Sequence, residues 1–256
     1  MYFRDRAEAG MLLAQKLTDY KHKNCIVIAL GKGAMIVGAQ IAMYLHSGLA
    51  IYLVENIHLP GEPEAFGAMS STGTFAYNTM LSPQEVEDSL NEFHGYIDQQ
   101  RLEKIHKLNI LVGKDGEINK RYIRRHVVIL VSDGLSSGFS IKLATDFLKT
   151  INVKKVIIAT PFATVSAADS MHLMGDELYC LNVLINYFGN DHYYEDNTIP
   201  TLEGLFSMMR NISLTWDHDN RISVMNAQLP GVHSPNASPT TGHNGSGSVL
   251  QSRHHL

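Results

Sequence analysis

The chain has 256 residues, of which 45% are hydrophobic, and a formal net charge of −4. This size and composition suffice for one large hydrophobic core, and the negative charge argues against a broad nucleic-acid-binding surface. No uninterrupted apolar run is long enough to span a bilayer and the charged N-terminus is not a signal peptide, so we expect a cytoplasmic protein with neither nucleic-acid nor membrane partners.

Apolar segments of helical and strand periodicity alternate along the chain. In chain order the predicted elements are a helix over 5–18, a strand over 25–30, a helix over 34–46, a strand over 50–54, a hairpin over 66–79, a helix from 82 to about 106, a strand–loop–helix unit over 127–149, a strand over 154–160, a helix over 165–174 and a strand over 177–182. This order predicts an α/β fold with a mostly parallel central sheet flanked by helices and a small hairpin insertion.

Local signals refine two of these predictions. The apolar side of the first helix should contain Met11, Leu12, Leu13 and Leu17. The helix that begins at Ser82-Pro83-Gln84-Glu85 has a serine cap, a proline at N1 and a glutamate at N3.

We predict a domain over 1–212 and a C-terminal extension over 213–256 that is disordered from about residue 226, because polar residues, glycine and proline dominate there. Cys25 and Cys180 are expected to be buried thiols in a reducing compartment.

The most informative segment joins a strand to a helix. Five consecutive aliphatic residues over 127–131 predict a buried strand, which is followed by Asp133 and then by small hydroxyl residues and glycines. Backbone N–H groups of residues 136–140 would point at an anion where the helix dipole also favours one. Asp133 could accept hydrogen bonds from sugar hydroxyls, so the segment predicts a phosphate-and-sugar site. An ordinary turn with a helix cap is the alternative explanation of the same residues.

This segment resembles the phosphoribosyl-diphosphate (PRPP) motif of type I phosphoribosyltransferases. Over roughly residues 3–196 the chain is similar to the bacterial group named "putative phosphoribosyltransferases", and four further segments carry that likeness: residues 3–10, 26–34, 59–68 and 176–181. The resemblance implies the type I phosphoribosyltransferase fold, PRPP or a nucleotide as ligand, and a homodimer. It also implies a mobile hood over the sugar, for which the hairpin over 66–79 is our candidate, with Ser71, Thr72 and Gly73 at its flexible tip.

The resemblance further implies a role for each part of the site. Asp133 and Lys32 would be the catalytic residues, and Ser132 and Asp133 would hold the ribose. The residues implied for the 5′-phosphate loop are Ser136, Ser137, Gly138, Phe139 and Ser140, and those for the pyrophosphate turn are Gly31, Lys32, Gly33 and Ala34. Mg²⁺ would be bound through PRPP and not by a dedicated protein site.

Several residues depart from the family pattern. Ser132 replaces the first of two acidic residues, Lys32 replaces an arginine, Glu55 and Asn56 replace a basic pair, and Phe139 replaces an alanine. Two hypotheses therefore remain open. The first is an enzyme that transfers the phosphoribosyl group of PRPP to a nitrogenous base or similar small nucleophile and releases pyrophosphate. The second is a catalytically weakened PRPP- or nucleotide-binding regulatory protein. In a purely structural interpretation, Lys32 is a solvated turn lysine and Asp133 caps the helix.

Overall fold

The computed structural model of the chain describes residues 2–62, 65–78, 81–112 and 118–212. In chain order its main elements are α1 (Arg6–Lys16), β1 (Cys25–Ala29), α2 (Lys32–Leu45), β2 (Gly48–Ile51), β3 (Val54–His58), β4 (Ala65–Ser70), β5 (Phe75–Tyr77), α3 (Pro83–Val112), α4 (Lys120–Ile123), β6 (Val127–Val131), α5 (Phe139–Lys149), β7 (Lys155–Thr164), α6 (Val165–Met174) and β8 (Glu177–Leu184). Five of the strands form a parallel sheet in the order β2-β1-β6-β7-β8. The predicted α/β class, with its parallel sheet flanked by helices, is confirmed.

Strand β6 lies at the centre of this sheet and shows why both faces must be covered. Alternate side chains of a strand point to opposite faces. Val127, Ile129 and Val131 belong to the apolar cluster that contains the buried residues of α1 and α2, whereas Val128 and Leu130 belong to the cluster that contains those of α5. A run of five apolar residues is therefore typical of a strand buried on both sides.

The apolar face of α1 was predicted only in part. Leu13 and Leu17 are fully buried, but Met11 is 45% exposed and faces solvent. The contact with α2 is made instead at Gly10. A Cβ atom at this position would lie only 2.7 Å from the Val37 carbonyl oxygen, so no larger residue fits there. A close approach of two helix backbones thus replaces the large side chain that the sequence pattern favoured.

The predicted strand over 50–54 is wrong in extent. Strand β2 ends at Ile51, the Tyr52 amide still donates to the carbonyl oxygen of Ala29 at 2.8 Å, and the chain then enters β3 of a second sheet. This sheet is antiparallel and has the order β3-β4-β5. Strands β4 and β5 form the predicted hairpin, whose last residue, 79, lies outside the described residues.

Hydrogen bonds hold the tip of the hairpin. The hydroxyl of buried Tyr52 donates to the Leu143 carbonyl oxygen of α5 at 3.1 Å, and Thr72 Oγ1 donates to the Tyr52 hydroxyl at 3.4 Å. Ser71 Oγ accepts from the Leu53 amide at 3.3 Å. The flexible tip stays a prediction, and in the structure two of its hydroxyl groups form hydrogen bonds with residues 52 and 53, which lie between β2 and β3.

Helix α3 begins as predicted and ends later. The Glu85 amide donates to Ser82 Oγ at 3.3 Å, and the Ser82 amide donates to the Glu85 carboxylate at 2.7 Å, which is the reciprocal capping arrangement. The helix changes direction at Phe93 and continues beyond His106 to Val112.

Further along the chain, β7 and β8 also continue beyond their predicted ends, and residues 202–212 are helical without having been predicted so. The predicted extension from residue 213 onwards lies outside the described residues. Within the described part of the chain, no helix combines the length and apolarity needed to cross a membrane.

Candidate functional site

Two helix N-termini lie side by side at the carboxyl edge of the parallel sheet. Strand β1 leads through Gly31 into α2, and β6 leads through residues 132–138 into α5. The two strands are direct neighbours, with Ala29 paired with Val131. Neither helix has a side-chain cap. Their first N–H groups and the positive ends of their dipoles therefore favour anions at this edge.

The turn before α2 contains the residues predicted to bind pyrophosphate. Gly31 has φ +111°, which only glycine adopts readily, and a Cβ atom there would have no neighbour within 4 Å. Lys32 is exposed and forms no ion pair with the residues that the structure describes. Gly33 and Ala34 are buried in the first turn of the helix. An ammonium group without an acidic partner in the described ranges thus lies at the start of α2, next to open space at Gly31.

Ser132 uses its hydroxyl group within its own loop. The side chain is buried, its Oγ donates to the Gly134 carbonyl oxygen at 2.9 Å, and it accepts from the Gly134 amide at 3.3 Å. The predicted ribose contact of Ser132 would have to be made in addition to, or instead of, these bonds. In this structure Ser132 stabilises the turn.

Asp133 is held in a buried ion pair. Its Oδ2 accepts from Arg6 Nε at 2.9 Å and its Oδ1 accepts from Asn190 Nδ2 at 3.2 Å. The exposed fractions of the Arg6 and Asp133 side chains are 2% and 13%. Burial raises the pKa of Asp133 above the ordinary value of an aspartate, and the hydrogen bond and charge of Arg6 act against that increase. Asp133 is therefore not a simple helix cap.

Gly134 lets two other segments approach the loop. A Cβ atom on it would come within 2.3 Å of the Phe162 ring and 2.4 Å of the Asn190 side-chain oxygen. Asn190 Nδ2 also donates to the Gly134 carbonyl oxygen at 3.3 Å. The chain after β8 thus packs directly on the motif loop.

The predicted 5′-phosphate loop leads into α5. Ser136 and Ser137 are exposed, and the amide groups of residues 136–138 have no backbone acceptor among the described residues. Gly138 precedes the first helical turn, which contains Phe139 and Ser140. Phe139 is partly buried and packs against the apolar cluster that contains the buried residues of α5.

Glu55 does not leave an uncompensated negative charge. Its carboxylate lies 2.9 Å from Lys107 Nζ and 3.4 Å from Lys104 Nζ, both on α3. Burial alone would raise the pKa of Glu55, but the hydrogen bonds and charges of the two lysines outweigh it and hold the pKa below its usual value. The residue thus links β3 to α3. Asn56, next to it, is exposed.

We expect Glu55→Gln to lower the free energy of unfolding by about 1 kcal/mol at neutral pH, because the partly exposed ion pairs to α3 are lost. The folded-state pKa of Glu55 is depressed, so its contribution is present at neutral pH and disappears as the pH falls through that pKa. Urea unfolding at neutral and acidic pH measures the difference. Glu103→Gln, at an exposed site on α3, is the matched control, and an equal, pH-independent loss in both variants would contradict the assignment.

Sequence reasoning missed the residues that surround Asp133. Arg6 also donates to Asp191 at 2.6 Å and to Asn197 at 3.2 Å, and its guanidinium lies 4.5 Å from the centroid of the Tyr194 ring. The Tyr194 hydroxyl donates to the Asp133 carbonyl oxygen at 2.5 Å. The resemblance over residues 3–10 covered Arg6, but nothing in the spacing connected it with a residue 127 positions away.

Comparisons with known proteins identify the family to which this chain is similar. The family model described as "Phosphoribosyl transferase domain" matches residues 5–172. A protein of two Mycobacterium tuberculosis strains, named "putative phosphoribosyl transferase", is 25% identical over 203 residues. The alignment covers 77% of this chain but only 44% of that relative, so the chain spans less than half of its length. A Thermus thermophilus protein of known crystal structure is 27% identical, with a TM-score of 0.59 and coverage of 82% of this chain and 98% of that chain.

Proposed function

Because the chain belongs to the phosphoribosyl transferase domain family, we propose that it transfers the phosphoribosyl group of PRPP to a nitrogenous base or similar small nucleophile. The reaction forms a bond from the acceptor to C1 of the ribose and breaks the bond to pyrophosphate. Positive charge develops on the sugar and negative charge on the leaving group. Positioning and charge neutralisation are therefore the main tasks of the protein.

One observation carries the proposal. Helices α2 and α5 follow neighbouring strands and begin without side-chain caps, and the largely buried Asp133 lies between their N-termini. A ligand with a phosphate at one end, a sugar in the middle and a pyrophosphate at the other end has the charges that this arrangement attracts. Residues 136–140 would receive the 5′-phosphate, Asp133 the ribose hydroxyls, and Gly31, Lys32, Gly33 and Ala34 the pyrophosphate.

The residues present fit a magnesium ion that arrives with PRPP. Among the described residues there is no group of three or more acidic, histidine or cysteine side chains that could hold a metal ion. Both oxygens of Asp133 already accept protein hydrogen bonds. Mg²⁺ bound to PRPP would neutralise the pyrophosphate, and Lys32 with the α2 amides would bind and orient the same group.

A specific observation favours a second candidate, a PRPP- or nucleotide-binding regulatory protein with weakened transfer. The Ser132 hydroxyl is engaged in its own turn, and Asp133 is engaged with Arg6 and Asn190. A sugar would find fewer free acceptors than two unpaired carboxylates provide. Losing one charge-assisted hydrogen bond costs roughly 1.5–3 kcal/mol, or about tenfold to a hundredfold in binding.

We expect isothermal titration to show magnesium-dependent binding of PRPP at micromolar affinity, about −8 kcal/mol. Lys32→Ala should weaken PRPP binding at least about tenfold, because a charge-assisted contact to pyrophosphate is lost, and should leave ribose 5-phosphate binding nearly unchanged. Lys16→Ala, an exposed lysine at the end of α1, is the matched control.

The outcomes of this titration separate the two candidates. Tight PRPP binding justifies a screen of acceptor bases for turnover. Binding of ribose 5-phosphate or a mononucleotide without PRPP binding would support the regulatory protein. If none of these ligands binds, both candidates fail.

The proposal includes a cytoplasmic homodimer. The two cysteines are free thiols, and burial raises the pKa of Cys25 to about 11, which keeps it protonated and unreactive. This agrees with a reducing compartment.

A further inference from the structure

Arg6 is the most deeply buried charged side chain near the proposed site. Its guanidinium contacts three side chains through three different nitrogen atoms: Nε donates to Asp133, Nη2 to Asp191 and Nη1 to Asn197. Burial alone would lower the pKa of Arg6, but its two carboxylate partners outweigh it and keep the group charged. Such a desolvated charge persists only where its partners are fixed.

We propose that Arg6 is a positioning residue that keeps the Asp133 carboxylate ionised and correctly oriented for the ribose hydroxyls. The inference rests on the proposed function, because it assumes that Asp133 binds the sugar. Arg6 does not itself need to touch the ligand. It acts through Oδ2 of Asp133, which leaves Oδ1 as the oxygen that can exchange its weaker contact with Asn190 for a sugar hydroxyl.

Three observations support this role over a purely structural one. Arg6 Nε lies 2.9 Å from Oδ2 of Asp133, which is the residue predicted to bind ribose. Gly33, in the predicted pyrophosphate turn, is the residue whose missing side chain gives this ion pair room. Asp191, the other carboxylate partner, is 74% exposed, so solvent screens its interaction with Arg6 more strongly than that of Asp133, which is 13% exposed.

The charged and titratable groups around Asp133 come from α1 and from the chain after β8. Arg6 favours the ionised form of Asp133, whereas Asp191 opposes it. Tyr187 and Tyr194 face Asp133 as neutral hydroxyl groups, since burial raises the pKa of each. When Arg6 is removed, burial and the negative charge of Asp191 both raise the pKa of Asp133. The carboxylate then takes up a proton at higher pH than in the wild type.

The test combines ligand binding with a ligand-free measurement. Ribose 5-phosphate affinity is measured between about pH 7 and about pH 9, where the phosphate keeps its second charge and a buried carboxylate can titrate. In parallel, ¹³C NMR of aspartate-labelled protein follows the Asp133 carboxyl group, with Asp133→Asn identifying its signal. The variants are Arg6→Gln, which removes the charge, and Arg6→Lys, which keeps it but cannot bridge all three partners. Arg4→Gln is the matched control, because the Arg4 side chain is 65% exposed and its one ion pair with the described residues is to Asp5.

We expect Arg6→Gln to weaken binding at least about tenfold at neutral pH and to recover part of the loss as the pH rises and Asp133 ionises. Arg6→Lys keeps the positive charge, so it should follow the pH profile of the wild type with a smaller loss, and it serves as the test variant if Arg6→Gln does not fold. Arg4→Gln should match the wild type. Wild-type affinity, or a uniform loss with the same pH profile in both Arg6 variants and an unmoved Asp133 titration, would overturn the proposal.

The two parts of the experiment also distinguish this inference from the proposed function. Failure of the wild-type protein to bind ribose 5-phosphate or PRPP would refute the proposed function, whatever the Arg6 variants do. Normal wild-type binding combined with an unmoved Asp133 titration in Arg6→Gln would refute only the role of Arg6.

Discussion

Replacing Asp133 by alanine is expected to lower the free energy of unfolding by about 3–5 kcal/mol, because the Arg6 guanidinium would stay buried without its main counterion. The Arg6 side chain is only 2% exposed, so its charge depends on protein partners and not on solvent. The same substitution should abolish detectable ribose 5-phosphate binding. Urea denaturation gives the stability change, and titration of the folded variant gives the binding change.

The matched control is Asp146→Ala. Asp146 also forms two ion pairs, with Lys142 and Lys149, but these lie on the surface of α5, and the lysine side chains are 35% and 74% exposed. Surface pairs of this kind contribute about 0–1 kcal/mol. Equal losses for Asp133→Ala and Asp146→Ala would mean that the buried pair is no more important than a surface pair. The variant Asp133→Asn keeps the shape of the side chain and removes its negative charge, but its single amide oxygen cannot replace both carboxylate oxygens that accept from Arg6 and Asn190.

The sequence predicted those features of the fold that depend on residues adjacent in the chain. Residues 127–131 form a strand because five aliphatic side chains suit a strand buried on both faces, and the glycines that follow permit the turn into α5. The turn at Gly31 is likewise local, since its φ of +111° favours glycine. The edge of the sheet at which the site lies could therefore be predicted without any tertiary information.

The partners of the site residues could not be predicted in this way. Arg6 occurs at the start of an amphipathic helix, where a charged residue ordinarily faces solvent. Its burial depends on Asp133 and on Asp191, which are brought together only by the folded sheet. The partners of Glu55 could not be predicted for the same reason: in sequence it replaces a basic residue, but in the fold it lies beside Lys104 and Lys107. Which charged side chains pair with one another therefore depends on the tertiary structure.

The second large effect is expected at Gly33. Gly33→Ala should lower the free energy of unfolding by about 3 kcal/mol and abolish ligand binding, although alanine is the better helix former by about 1 kcal/mol. The new Cβ atom would lie 2.1 Å from Asp133 Oδ2 and 2.8 Å from Arg6 Nε. These atoms cannot move away without breaking their ion pair. The resemblance places Gly33 in the pyrophosphate turn, and in the structure the ion pair already occupies the space that a side chain at this position would need.

Gly95→Ala provides the control for this substitution. Gly95 also lies in a helix, α3, but a Cβ atom there would meet nothing within 4 Å. The same chemical change should therefore stabilise the protein by about 0.5–1 kcal/mol, through helix propensity alone. The two variants should shift the urea midpoint in opposite directions. If Gly33→Ala instead stabilises the protein or retains ribose 5-phosphate binding, the Arg6–Asp133 pair must be able to rearrange. The tight packing of α2 on the motif aspartate would then not be a requirement of the site.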